Sequence, residues 1–516
     1  MQQVLVRVAS ATMGRRVIYT YLGILILLKI AIQIILYWHG FISVSADEFA
    51  RGIRAAQWAL QPRLDIFEAK EVWLPFEKYL NGSLLLVWPN VILAPRTTAF
   101  IASCLVVVAL FWLVYYLFGK FSVAALASLF VVFQPWYAWL SGTPMLEMYY
   151  LACFLGGLLF LVVWLKDERR GYWFWAGCCF MLASGFHAQS WIMINIVNLL
   201  TIVDLYQYIR QKQYGRLWRL LCFYFLSVSF IISFTIVEFA KTGRLFDFLA
   251  KHTSYSKWFY GGYNVSVLEK LLYYPKLVLQ NSSSIVWVLV AVAIAFLWRD
   301  QDRRRKFFPL TVAALVLILS SVINVFSVPP TAAPGRYSLF YVLMLSPYLA
   351  YGACCLAQWG RQYSPRVATY ALPTLSAGLL SYGAWWGISR LLNFPQGVSL
   401  DAVETGYYLN QILSRNTSAA AIYMVELKYW DFLAVKLTAG HYDAIVFDRE
   451  YNIYNRNTLS IFEEEITDIY AYMILHKVRY VALRDPNLKA RAQLMDFLIP
   501  LRNIGNWTIY EFKPKP

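Results

Sequence analysis

The chain has 516 residues, of which 59% are hydrophobic and only 15% are charged, whereas soluble domains carry roughly 25% charged residues. This composition excludes an ordinary soluble enzyme and predicts a multi-pass α-helical membrane protein. Lys and Arg exceed Asp and Glu by 46 to 29, but the sequence has no zinc-ligand spacing, arginine-glycine tract or basic helix. We therefore expect no nucleic-acid partner, and we attribute the basic excess to membrane topology and contacts with anionic membrane lipids.

The apolar runs of the sequence predict about eleven membrane spans, since roughly 20 helical residues cross about 30 Å of hydrocarbon. The predicted spans are residues 17–38, 97–117, 121–139, 148–165, 172–186, 190–207, 219–238, 284–298, 307–327, 338–358 and 367–389. Residues 172–207 form two spans with a turn at 187–190, because one helix of that length would measure about 54 Å. The "VSA" after the first run resembles a signal-peptidase site, but that run exceeds the roughly 7 to 15 apolar residues of a secretory signal, so we expect a retained span.

Basic residues mark the side of the membrane on which each short connection lies. Lys and Arg concentrate in alternate connections, as in Arg303–Lys306, while the turns at 140–147 and 187–190 contain none. The positive-inside rule then places the N-terminus in the cytoplasm and, after an odd number of spans, the C-terminus outside the cytoplasm. We predict a plasma (inner) membrane protein with two long external loops, at 39–96 and 239–283.

The last part of the sequence has the composition of a soluble domain. Short β-like runs at 419–426, 442–448, 478–484 and 506–512 alternate with helical patterns such as 461–477. This alternation predicts a small extracytoplasmic α/β domain at 390–516, following a transmembrane domain at 1–389. No glycine-rich phosphate loop follows a predicted strand, so we do not expect a nucleotide site there.

Polar residues collect at the predicted external ends of the spans. They occupy the loop at 39–96, the turn at 141–150, the turn at His187 and the segment 329–337, which together predict one cleft. Ionisable residues are rare inside the spans, which disfavours an ion-coupled transporter. Lys29 is the clear mid-span charge, and we expect it to face the bundle or to extend towards the headgroups.

The acidic pair Asp47 and Glu48 has a structural interpretation. Ser45-Ala-Asp-Glu48 fits a capping box, in which Ser45 caps a helix and Glu48 returns to the Ser45 backbone N–H. Asp47 would complement the helix dipole, and Arg51 and Arg54 would face lipid headgroups from an interfacial helix.

The order of the polar motifs resembles that of the GT-C glycosyltransferases, which use polyprenyl-phosphate sugars. "SADE" at 45–48 resembles the acidic motif that opens their first external loop, and "QPWYAWLSGTPMLEMYY" at 134–150 resembles their second acidic loop. "FEKYLNG" at 76–82 is similar to a lysine-bearing segment of the lipid A aminoarabinose transferase branch. "PGRYSLFYVLMLSP" at 334–347 resembles an Arg-Tyr segment of that branch and of protein O-mannosyltransferases.

The resemblance implies a GT-C fold and transfer of a sugar from a polyprenyl-phosphate donor to an extracytoplasmic lipid, glycan or protein. Asp47 and Glu147 are the predicted catalytic carboxylates, with Asp47 as the base or as the residue that orients the acceptor. The predicted substrate-binding residues are Glu48, Arg51, Lys78, His187, Arg336 and Tyr337. No proline follows Lys78 and Arg51 stands one position later than the branch's basic residue, so the acceptor of that branch is not implied.

The predicted residues have complementary chemistry. Lys78, Arg336 and Arg51 would neutralise the donor phosphate, to which Tyr337 would hydrogen-bond.

Glu48 and Glu147 would hold sugar hydroxyls, position Asp47 or join it in binding a divalent cation, so no cofactor is certain. Simpler alternatives stay open: Glu147 as a carboxylate at a helix N-terminus, and His187 and Arg336 as ordinary interfacial residues.

Two other functions compete with sugar transfer. A lipid-linked saccharide flippase or assembly factor would need polar residues along a path through the spans, and the sequence has few. A polysaccharide ligase or polymerase acting on the outer face would use the same leaving group with a longer glycan.

Overall fold

A computed structural model describes residues 2–64, 73–167, 171–245, 266–326, 334–363, 389–415, 422–425, 429–447 and 468–515, with a few isolated residues between these ranges. The helices that precede residue 364 are α1 (Gln2–Trp38), α2 (Asp47–Leu60), α3 (Phe76–Val87), α4 (Leu93–Phe118), α5 (Phe121–Val132), α6 (Pro135–Ser141), α7 (Leu146–Asp167), α8 (Tyr172–Phe186), α9 (Gln189–Arg210), α10 (Tyr214–Thr242), α11 (Val267–Gln280), α12 (Ser284–Leu297), α13 (Arg303–Phe326) and α14 (Leu339–Tyr363), and a 3₁₀ helix at Pro334–Ser338 precedes α14.

The structure confirms a multi-pass α-helical membrane protein. Within the described residues, seven single helices are long and apolar enough to cross a membrane, or up to nine if each of two bent helix pairs is one span. Helix α8 has 15 residues and is shorter than these seven helices. It ends at Phe186 and α9 begins at Gln189, so the predicted turn between them is present. The predicted span at 367–389 lies almost entirely outside the described residues.

One predicted span is bent, and another is a straight helix that a preceding helix meets at a sharp angle. The run at 121–139 is divided into α5 and α6 at an angle of 68°. The Gln134 side chain accepts the Tyr137 N–H and Pro135 occupies the first turn, so these two residues start a new helix. The run at 284–298 is α12, and α11 meets it at 96°. The apolar run at 121–139 therefore contains two helices, since hydropathy does not register a capping residue.

The C-terminal part of the chain contains one mixed β-sheet with the strand order β2-β1-β3-β5-β4. Its elements are α15 (Leu400–Arg415), β1 (Ile422–Val425), α16 (Tyr429–Ala439), β2 (Ile445–Phe447), α17 (Ile469–Leu475), β3 (Val478–Leu483), α18 (Pro486–Gln493), β4 (Leu498–Ile504) and β5 (Trp507–Phe512). Strands β2, β1 and β3 are parallel, while β3, β5 and β4 are antiparallel. The four predicted strands correspond to β1, β2, β3 and β5, and the sequence patterns missed β4.

The α/β unit packs directly on α2. Phe49 and Ile53 of α2 are buried together with Phe432, Val435 and Leu437 of α16 in one apolar cluster. Helix α2 is therefore covered by the α/β unit rather than lying on an open membrane surface. The domain boundary near residue 390 stays a prediction.

Two glycines make this packing close. A Cβ atom at Gly52 would lie 2.7 Å from the Leu437 side chain. A Cβ atom at Gly397 would lie 2.5 Å from the Ser45 backbone nitrogen, and the Gly397 N–H donates to the Ser43 carbonyl at 3.0 Å. The segment around Gly397 is therefore seated against the backbone that leads into α2.

Candidate active site

Helix α2 begins at Asp47, but without the predicted capping box. Its N-cap residue is Ala46, and the Ser45 hydroxyl accepts the N–H of Asp47 at 3.2 Å. The Glu48 carboxylate is buried and lies 3.3 Å from Arg96 Nη2 instead of returning to the Ser45 backbone. The capping-box interpretation of Glu48 is wrong because a cation on α4 outcompetes a backbone N–H for a buried carboxylate.

Arg336 joins two of the predicted acidic residues. Its Nη2 lies 3.2 Å from Asp47 Oδ2, and its Nε lies 3.3 Å from Glu147 Oε1. The side chains of Arg336 and Glu147 are 5% and 2% exposed, whereas that of Asp47 is 15% exposed. We call Asp47, Glu147, Arg336 and Tyr337 the Arg336 cluster. One guanidinium between two carboxylates balances much of their charge in a buried environment.

The backbone around Arg336 is held by close packing. Arg336 belongs to the 3₁₀ helix at Pro334–Ser338, and a Cβ atom at the preceding Gly335 would lie 2.3 Å from the Trp136 ring. Arg336 Nη2 donates to the Tyr337 hydroxyl at 2.9 Å, and its guanidinium lies 4.9 Å from the Tyr337 ring centroid. Tyr337 therefore contacts the guanidinium that holds Asp47.

His187 lies beside the Arg336 cluster. Its ring centroid is 6.3 Å from that of Tyr337 and 5.1 Å from that of Tyr150. The N–H of Gln189 donates to His187 Nδ1 at 3.0 Å, which assigns the ring proton of neutral His187 to Nε2. The turn between α8 and α9 thus brings a polar ring nitrogen to the edge of the site.

Arg51 and Lys78 form the basic part of the site, and both are buried. The Arg51 guanidinium lies 4.8 Å from the Trp73 ring centroid, and Lys78 Nζ lies 5.4 Å from that of Tyr79. Within the described part of the chain, Arg51 Nε and Nη1 have no hydrogen-bond partner. Because Asp47 and Arg51 are one helical turn apart on α2, they project on the same side of the helix.

A polar network that sequence inspection missed connects α3, α4 and α7. Glu77 is fully buried, and its Oε1 accepts from Asn81 Nδ2 at 2.6 Å. Asn81 Oδ1 in turn accepts from the hydroxyls of Thr98 and Tyr149. Burial raises the pKa of Glu77, and the positive charge of Arg51 opposes that rise most strongly. The network places α3, which carries Lys78, against the end of α7 that carries Glu147.

Glu48 and Arg96 are the remaining charged pair. Burial raises the pKa of Glu48 from 4.5 to about 8, and the neighbouring Arg96 opposes this rise. Arg96 also donates to the Ile42 carbonyl, so it ties α4 to the chain that leads into α2. Nothing in the sequence around Arg96 predicted this role, since the residue lies at the start of an apolar run.

The carboxylates proposed as alternative metal ligands are held by arginines. Within the described ranges, no group of three or more His, Cys, Asp or Glu residues is spaced to hold a metal ion. Asp47 and Glu147 contact Arg336, and Glu48 contacts Arg96. These three carboxylates are therefore arranged in contacts with arginines.

Lys29 faces the interior of the helical bundle, as one of its two predicted alternatives stated. It is 2% exposed, its Nζ donates to the Ser141 hydroxyl at 2.9 Å, and it lies 4.2 Å from the Tyr137 ring centroid. Its hydrogen bond and cation–π contact are those of a structural residue.

Sequence comparison finds no matching family model and no matching curated protein. Structural comparison finds solved structures that share the fold over nearly the whole chain. ArnT from Cupriavidus metallidurans in the apo state matches with a TM-score of 0.62 and 12% identity, over 97% of this chain and 98% of ArnT. The ArnT structure bound to undecaprenyl phosphate matches with a TM-score of 0.58 and 12% identity, over 94% and 97% of the two chains.

The oligosaccharyltransferase of Archaeoglobus fulgidus, solved in complex with Zn and sulfate, matches with a TM-score of 0.57 and 12% identity. That match covers 92% of this chain and 70% of the oligosaccharyltransferase. ArnT and this oligosaccharyltransferase are GT-C glycosyltransferases, so this chain has the GT-C fold.

Proposed function

We propose that this chain, which has the GT-C fold, transfers a sugar from a polyprenyl-phosphate carrier to an acceptor at the membrane face where α2 and α3 lie. The observation that carries the proposal is the convergence of Asp47, Glu147 and Arg336, from three distant segments, in one buried cluster. ArnT has been solved with undecaprenyl phosphate, and the Archaeoglobus oligosaccharyltransferase with an inhibitory peptide and a dolichol-phosphate. Both complexes support a lipid-phosphate donor.

Asp47 is the proposed general base. It is the more exposed carboxylate of the Arg336 cluster, so an acceptor hydroxyl can reach it more easily than it can reach Glu147. The acceptor oxygen would attack C1 of the sugar, its proton would pass to Asp47, and the bond from C1 to the phosphate oxygen would break. The polyprenyl phosphate would leave with the electron pair of that bond.

Arg51 and Lys78 are the proposed partners of the leaving phosphate. Both side chains are buried. Arg51 Nε and Nη1 have no hydrogen-bond partner among the described residues, so they are available to bind a phosphate oxygen. Cations in a desolvated site stabilise a developing phosphate charge more strongly than they would in water. The ammonium group of Lys78 would add a compact positive charge that carries N–H donors.

The other members of the site would orient substrate and base. Glu147 contacts Arg336 and would fix its direction, while Arg336 contacts Asp47 and would fix the position of its carboxylate. Tyr337, His187 and Glu48 would line the sugar and phosphate pockets, with His187 Nε2 as a donor. Arg336 would also reach the phosphate if substrate displaces one of its two carboxylates.

The test is sugar transfer by the purified full-length chain, with radiolabelled monosaccharide and oligosaccharide polyprenyl-phosphate carriers. We expect Asp47→Asn to slow transfer by about 10²- to 10⁴-fold, since it removes the base. Asp496→Asn is the matched control, because Asp496 is an exposed carboxylate of the α/β unit paired with Lys515. The control should transfer at the parental rate and keep the parental melting temperature, and Asp47→Asn should remain folded because Arg336 keeps its contact with Glu147.

Three results would contradict the proposal. Transfer by Asp47→Asn at the parental rate would remove the base assignment. Movement of the donor across vesicles without any transfer would indicate a flippase. Use of oligosaccharide carriers in place of monosaccharide carriers would indicate a ligase or polymerase.

A further inference from the structure

A polar cavity lies at the end of the bundle opposite to the Arg336 cluster. It measures about 670 Å³ and is enclosed by the ends of α4, α7 and α9 and the starts of α10 and α13. Glu147 and Lys166 are near the two ends of α7, and the helical rise separates their backbones by about 28 Å. The Lys166 side chain lines the cavity, so the cavity and the proposed active site lie near opposite membrane faces.

The charges around the cavity favour an anion. Its basic lining residues are Lys166, Arg216, Arg304 and Arg305, and its acidic ones are Asp204 and Asp302. Asp204 lies 3.5 Å from Arg304 Nη2, so one of the two carboxylates is already paired with a cation of the cavity. The remaining excess of positive charge attracts phosphate groups.

The other walls of the cavity are apolar and continue onto the outside of the bundle. Leu117 and Val162 line its interior. Val203 of α9 lines the cavity and is 49% exposed, and Leu199 and Ile202 on the same helix are exposed too. These apolar side chains face the hydrocarbon of the membrane along a span, so the cavity opens at the boundary between headgroups and acyl chains.

We propose that this cavity binds the phosphate headgroup of an anionic phospholipid, with the acyl chains lying along α9. A basic pocket between membrane helices suits a lipid phosphate, because the arginines neutralise the headgroup while the apolar wall accepts the chains. A soluble phosphate would use the arginines but not the exposed leucine, isoleucine and valine of α9. The inference does not depend on the proposed sugar transfer, since none of the lining residues belongs to the candidate active site.

The test compares lipid binding by three versions of the full-length chain in detergent. The cavity variant combines Arg304→Gln and Arg305→Gln. The control variant combines Arg299→Gln and Arg303→Gln, which remove two neighbouring positive charges that do not line the cavity. Phosphatidylglycerol and phosphatidylcholine are titrated separately, and bound lipid is counted by native mass spectrometry while the melting temperature is recorded.

We expect the parent and the control to bind phosphatidylglycerol in preference to phosphatidylcholine. The cavity variant should bind phosphatidylglycerol roughly thirtyfold more weakly, at about a factor of five for each arginine near a lipid surface. Equal binding by the cavity variant and the control would overturn the proposal, as would equal binding of the two lipids by the parent. Saturation by glycerol 3-phosphate at the same concentration as phosphatidylglycerol would assign the cavity to a soluble phosphate instead.

Discussion

The two ends of α7 hold charge in different ways. At the Glu147 end, Arg336 and Glu147 are almost completely buried, and Arg336 contacts two carboxylates within 3.3 Å. At the Lys166 end, Arg304 and Asp204 lie 3.5 Å apart, but the Arg304 side chain is 56% exposed. Buried charges depend on their partners for solvation, whereas exposed charges are solvated by water. An ion pair at the Glu147 end therefore constrains the fold, while one at the Lys166 end leaves room for a ligand.

The largest expected effect comes from Arg336. Arg336→Leu leaves Asp47 and Glu147 without the cation between them, and breaking a buried ion pair from one side costs about 3 to 5 kcal/mol. Arg304→Leu at the other end of the bundle should cost less than about 1 kcal/mol, as exposed pairs do. Denaturant titration of both variants in the same detergent measures the difference. Equal losses of stability would show that the two ends are not different.

The next effect concerns the contact between the α/β unit and the start of α2. Gly397→Ala should cost about 1 to 3 kcal/mol, because its Cβ would lie 2.5 Å from the Ser45 backbone nitrogen and the chain must shift. Since Ser45 precedes Asp47, the variant should also transfer sugar more slowly than the parent.

Gly215→Ala is the matched control for this substitution, because its Cβ would meet only the end of the Arg219 side chain, at 3.9 Å. It should leave stability unchanged or raise it by up to about 1 kcal/mol, since alanine favours a helix. If Gly397→Ala is equally harmless, the close approach of the α/β unit to α2 does not exist in solution.

The last prediction concerns the pH dependence of stability. The pKa of Glu48 is about 8 in the folded protein against its usual value of 4.5, so the folded state holds this proton more tightly than the unfolded state. Unfolding free energy should therefore fall as pH rises from about 4.5 to about 8 through this residue. Glu48→Gln should remove this contribution to the fall in unfolding free energy. Melting temperatures of the parent and the variant, recorded from pH 5 to pH 9, measure the difference. Parallel curves would mean that Glu48 is already ionised at pH 5.

Hydropathy accounts for most of the fold that could be predicted. The apolar runs located the helices of the bundle, because about 20 apolar residues have few alternatives to crossing a membrane. The strand patterns of the α/β unit were also visible, except for β4, whose sequence Leu-Ile-Pro-Leu-Arg-Asn-Ile does not alternate and contains a proline. The bend before α6 was not predicted, because a single capping residue does not change the mean hydropathy of a segment long enough to cross a membrane.

The candidate site was only partly predictable for a related reason. Asp47, Glu147 and Arg336 were predicted because they lie at external span ends and match the GT-C motifs, and the structure brings these three together. Arg96 and Glu77 were missed, since nothing local distinguishes a surface charge from a buried one.

The apolar runs, strand patterns and charged positions of the sequence were enough to predict that the chain crosses a membrane many times, that an α/β unit follows, and which polar residues are available for chemistry. Those features follow from local hydropathy and periodicity, which each segment carries on its own. Two features depend on the packing of distant segments: Glu48 contacts Arg96 instead of capping its helix, and Arg336 lies between Asp47 and Glu147. The physical reason is that the partner of a buried charge is chosen by which helix ends meet, and that choice depends on the packing of the whole bundle.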